Sequence, residues 1–155
     1  MNRKIIVFGC LFFFVSTLFA KQSFEYLHQF SLKKDEIGTV VINRKEVVKK
    51  PKSDNPTNEY ILHLRWTLFA NNTLIVLVNY RGYPTQYALE KKHPLESIII
   101  PLLPDSADRM NGRVYLKMVF SDFNQNAKEA VFDILIEDTN QRILVEFKPN
   151  KAAGQ

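Results

Sequence analysis

The stretch 59-EYILHLRWTLFANNTLIVLVNY-80 carries the pattern that decides the fold. Its first half alternates: Tyr60, Leu62, Leu64, Trp66 and Leu68 fall on one face, His63, Arg65 and Thr67 on the other. Successive side chains of an extended backbone point to opposite sides, so this period of two predicts a strand with one buried face. Asn71-Asn72 then reads as a tight turn, because asparagine tolerates the left-handed backbone that a two-residue hairpin demands. The return, 73-TLIVLVNY-80, is apolar on both faces and predicts a central strand covered on both sides.

The same period runs outward in both directions. Upstream, 23-SFEYLHQFSLKK-34 puts Phe24, Tyr26, His28, Phe30 and Leu32 on one face. A second strand follows in 37-IGTVVINRKEVVKK-50, with a bulge or bend predicted at Arg44-Lys45-Glu46. The segment 51-PKSDNPTN-58 is rich in residues that favour turns and break ladders. Downstream, 81-RGYPTQYALEKKHP-94 reads as a long connection, and 95-LESIIIPLLP-104 as an apolar strand. Pro101 cannot donate to a ladder, which places that strand at an edge or at a change of direction. Val114, Leu116, Met118 and Phe120 share a face, and 129-EAVFDILIEDTNQRILVEFKP-149 reads as a terminal hairpin with Phe132, Ile134 and Ile136 inward, then Ile143, Val145 and Phe147 on its return.

About eight short strands without a helical period predict an all-β fold: a single antiparallel β-sandwich, or alternatively a small closed β-barrel. Trp66, on the apolar face of the third strand, resembles the buried Trp of immunoglobulin-like sandwiches. The likeness is to an architecture, and the paired cysteines of that architecture are missing. The domain is expected to occupy residues 21–149, with 150–155 as a fraying tail.

The opening 1-MNRKIIVFGCLFFFVSTLFAKQS-23 reads as a signal-peptide helix over residues 1–20. Arg3 and Lys4 precede an apolar run from Ile5 to Phe19, and Ala20 is a suitable last residue before cleavage. As a helix, Ile5 to Ala20 spans roughly 24 Å at about 1.5 Å per residue. An uncleaved anchor would need about 30 Å. Cys10 is the chain's one cysteine. It sits inside the apolar run, which continues past it through Leu11 to Val15, unlike a lipoprotein signal. The mature chain is therefore expected to have no disulfide and no disulfide-linked partner.

The formal net charge of +5 includes Arg3 and Lys4, which leave with the leader. The mild remainder argues against nucleic acid as a partner. No serine lies in a Gly-x-Ser-x-Gly elbow, and His28, His63 and His93 lack the spacing of a zinc or copper site. Asp133 and Glu137 share a strand face but lie about 13 Å apart at 3.3 Å per residue, too wide for a shared proton. In a terminal hairpin, Lys148 or Arg142 would face them. Catalytic residues, metal ligands and cofactors are accordingly expected to be none.

Two clusters point to recognition. Tyr80, Arg81, Tyr83 and Tyr87 crowd around Gly82 and Pro84 in the predicted loop, and Tyr and Arg dominate binding hot spots. Arg44, Lys45, Lys49 and Lys50 form a basic run suited to an anionic surface or an acidic partner. Lys91 and Lys92 would extend it if the fold brought them near. These features predict an exported, non-enzymatic binding or adaptor module, an accessory subunit with a protein partner in a bacterial envelope or surface assembly. The periplasm is the expected compartment, with secretion, or tethering by an uncleaved leader, as alternatives. A carrier of an apolar small molecule or lipid is the competing function.

Overall fold

The computed structural model describes residues 24–45, 59–92, 94–103 and 114–151. The expected signal peptide, Lys49, Lys50 and His93 lie outside the described residues. Among the described residues nine strands form: β1 (Tyr26–Lys33), β2 (Ile37–Arg44), β3 (Glu59–Ala70), β4 (Thr73–Tyr80), β5 (Tyr83–Glu90), β6 (Ser97–Pro101), β7 (Tyr115–Asn124), β8 (Glu129–Glu137) and β9 (Ile143–Lys151). One 3-10 turn, Pro94–Glu96, precedes β6.

The strands make two antiparallel sheets, ordered β1-β8-β7-β6 and β5-β4-β3-β2-β9. Both bury their inner faces in one core, a sandwich-like arrangement. Tyr26, His28, Phe30 and Leu32 face inward along β1, as their spacing predicts. Phe120 and Phe132, neighbours on β7 and β8, are almost wholly buried, and each such ring stabilises the fold by about 1.5–3 kcal/mol. The sheets do not close into a barrel. They meet along two lateral seams, β1 beside β9 on one flank and β5 beside β6 on the other.

Trp66 is buried and ties the first corner to the core. Its indole Nε1 donates to the Leu32 carbonyl at 2.7 Å, and its own carbonyl accepts from Asp35 N at 3.0 Å. These bonds hold the turn that carries the chain from β1 in one sheet to β2 in the other. The β3–β4 turn matches its expected form, with Asn71 and Asn72 at φ 51° and 63°.

Several expectations are corrected. The residues from Tyr83 to Glu90 form strand β5, not a loop; their polar, proline-containing sequence hides the strand because only Leu89 is fully buried. β2 is described to Arg44 and carries a register shift between Ile37 and Thr39; Glu46, in the expected bend, lies outside the described residues. A register shift between Trp66 and Leu68 turns Leu68 outward and Phe69 inward. The outer face of β4 is only half covered, at Ile75 and Leu77. β8 and β9 are not a hairpin. They belong to different sheets, and Lys148 faces Thr39 instead of Asp133.

The cause of that last difference is Asp138. Its buried carboxylate accepts from Arg142 N and Ile143 N, both at 2.9 Å, and its carbonyl accepts from Gln141 N at 2.8 Å. A carboxylate that holds two amide donors fixes a wide corner, so the chain crosses to the opposite sheet. β9 then runs to Lys151, two residues into the expected tail.

Candidate binding groove

At the β5–β6 seam, β4 and β5 are joined by Arg81 and Gly82, at φ 56° and 83°. Glycine takes this left-handed conformation without strain. Arginine does not, since its Cβ crowds the backbone at a cost of about 1 kcal/mol. The Asn71-Asn72 turn at the other end of β4 uses a residue better suited to that geometry. Arg81 is kept there with its guanidinium carbon 4.8 Å from the centre of the Tyr60 ring, a cation–π contact.

Tyr60 meets Tyr80 edge-on, with centroids 6.4 Å apart. The Tyr80 hydroxyl donates to the Leu102 carbonyl at 2.6 Å and bridges the two sheets. Burial pushes its pKa up to about 12, so the phenol stays protonated and donating at neutral pH. Beyond this bridge the seam opens into a groove of about 580 Å³. One wall is Val78, Tyr80, Arg81, Tyr83, Thr85 and Tyr87; the other is Ile100, Pro101 and Leu103. Tyr83 is 77% exposed and Tyr87 half-buried.

The four residues singled out in the sequence thus line one groove, although three of them lie on strands. Tyr60 and the aliphatic wall of Ile100 and Leu103 had no local signal. Tyr60 reaches Tyr80 through the β3–β4 register, and the wall comes from a strand paired in the other sheet.

The groove runs beside a sheet edge. Tyr80 and Tyr83 close a two-residue turn, so theirs is a hydrogen-bonded pair, as are the pairs at Thr85 and Tyr87. The backbone groups of Pro84, Gln86 and Ala88 therefore point away from β4. Pro84 lacks a donor at a position where β4 needs none, which is how an edge strand accommodates proline.

The basic run is not extended by Lys91 and Lys92. Arg44 ends β2 opposite Ile143, and Lys45 N donates to the Arg142 carbonyl at 2.8 Å. Both lie at the end of the sheet that carries Arg81. Lys91 and Lys92 lie at the opposite end, beyond the Thr73–Glu90 pair, so they do not extend this run.

Asp133, Glu137 and His63 sit in local bonds. Asp133 accepts from Gln29 Nε2 at 2.7 Å and from the Ser121 hydroxyl, and Glu137 accepts from the Tyr115 hydroxyl. His63 shares a hydrogen bond of 3.1 Å with Thr39 on the outer face. Among the described residues no three His, Cys, Asp or Glu side chains are grouped to hold a metal ion. No family model, curated protein or solved structure matches the chain.

Proposed function

We propose that the protein is an exported, non-enzymatic binding module, an accessory subunit of a bacterial envelope or surface assembly, and that it engages a protein partner at the β5–β6 seam. The convergence of Tyr80, Arg81, Tyr83 and Tyr87 on one groove, beside a strand edge with outward backbone groups, carries this reading. Such an edge can accept an extended segment of a partner as an added strand, with alternate side chains lying in the groove. Arg44 and Lys45 add positive charge at the same end of the molecule, suited to an anionic surface. The buried Trp66 between two sheets supports kinship with immunoglobulin-like sandwiches, and residues 1–20 are the sequence basis for export to the periplasm.

A photo-crosslinker placed at Tyr83 tests the reading in intact envelope, with the same group at Ser31, on the outer face of β1, as control. One stoichiometric protein adduct at position 83 and none at position 31 is expected. Recovery of free monomer from both positions defeats the proposal. Native mass spectrometry showing a retained small molecule in place of a protein would favour the carrier.

A further inference from the structure

The end of the sandwich far from Arg81 carries a second constellation, independent of the groove. Phe69 of β3 and Phe123 of β7 stack across the two sheets, centroids 3.9 Å apart and planes 18° from parallel. Trp66 meets Phe123 edge-on at 5.5 Å. The stacked pair is only half-buried and stands between two clefts, of about 300 and 260 Å³. The first is floored by Phe120 and bordered by Lys91 and Lys92; the second has Trp66 and Leu68 in its wall, bordered by Lys34 and Lys128.

Of the four lysines around this aromatic ridge, one is neutralised by an ion pair. Lys91 is paired with Asp122, whose carboxyl is held below the usual carboxylate range by that bond first of all. Lys34, Lys92 and Lys128 are exposed and have no ion-pair partner among the described residues. Lys92 and Lys128 moreover occupy left-handed positions, φ 60° and 52°, that asparagine or glycine would fill with less strain. An apolar floor under unpaired ammonium groups has the chemistry of a site for a molecule with both characters.

We infer that this end of the sandwich binds a single anionic amphiphile, a chain or ring carrying a phosphate or carboxylate, in the second cleft, with its apolar body against Leu68, Phe69 and Phe123 and its anionic group between Lys34 and Lys128. The second cleft has room for a short alkyl chain, and long lysine stems let the charged tips follow the headgroup.

Trp66 is the one tryptophan in the chain, so its emission reports the site directly. The purified protein is titrated with octyl phosphate, octyl glucoside and inorganic phosphate, all below micelle-forming concentrations. Octyl phosphate should change the emission saturably, octyl glucoside should need at least roughly ten-fold more, and inorganic phosphate should leave it unchanged. The double variant Lys34→Gln, Lys128→Gln should weaken octyl phosphate binding by roughly ten-fold. These side chains are exposed, and an unchanged circular dichroism spectrum verifies the fold. Equal response to octyl phosphate and octyl glucoside, unweakened binding by the variant, or a response to anionic vesicles without one to monomeric octyl phosphate overturns the inference.

Discussion

Along the β1–β9 seam, His28 stacks on Phe147 at 4.3 Å, Phe30 meets both rings edge-on, and the Tyr26 hydroxyl donates to the Ile143 carbonyl at 2.9 Å. Along the β5–β6 seam, Tyr80 makes the corresponding bridge to Leu102, but Tyr83 and Tyr87 beyond it have no ring from the other sheet against them among the described residues. Both flanks are rich in aromatic side chains. One uses them to fill the gap between sheets and the other leaves them to line it. The difference lies in the facing strand: β1 supplies rings, whereas β6 supplies Ile100 and Pro101 and is three residues shorter. Aromatic content alone therefore does not separate a filled seam from an open one.

The sharpest way to break the comparison is to cut the same kind of group from each flank. Phe30→Ala removes a ring that is 2% exposed and should cost about 3–5 kcal/mol in urea unfolding. Tyr83→Ala should change stability by less than about 0.5 kcal/mol. A loss at Tyr83 comparable to that at Phe30 would make the groove part of the core. Asp138→Ala, at the corner that feeds β9 into the closed seam, strands two amide donors and should cost about 2–4 kcal/mol by the same measurement. Tyr80→Phe removes the hydrogen bond to the Leu102 carbonyl across the open seam and should cost about 1 kcal/mol.

The smallest effect is a pH dependence confined to the closed flank. Burial against aromatic rings lowers the His28 pKa from its ordinary 6.5. The folded chain thus holds fewer protons than the unfolded chain just below that value. His28 contributes its stability fully above pH 6.5 and loses it as pH falls through the lowered folded value. His28→Phe should flatten that part of the acid unfolding curve and leave the alkaline side, where Tyr80 titrates, unaltered.

Much of the strand content was legible because burial imposes a period of two. The inward sets Phe30/Leu32, Leu62/Leu64/Trp66 and Leu116/Met118/Phe120 follow directly from alternation. What alternation cannot report is pairing. Residues 138–142 have the composition of a hairpin turn, yet one buried carboxylate makes them a crossing between sheets. β5 escaped notice because half of its inner face is left uncovered, so its sequence lacks the apolar rhythm that coverage would demand. The candidate site was legible as chemistry, in its Tyr and Arg, but not as a place. Its second wall comes from β6, and the Phe69–Phe123 ridge depends on two register shifts that put both rings inward.

The wiring of the sheets has a consequence for biogenesis. β1 finds its ladder partner in β8, and β2 finds one of its two in β9, so Gln29 bonds to a residue 104 positions away and Tyr26 to one 117 away. A nascent chain leaving the ribosome cannot complete either ladder until its last strands have been synthesised, and closing such long loops is slow. Translation alone thus leaves both ladders unfinished until β8 and β9 have left the ribosome.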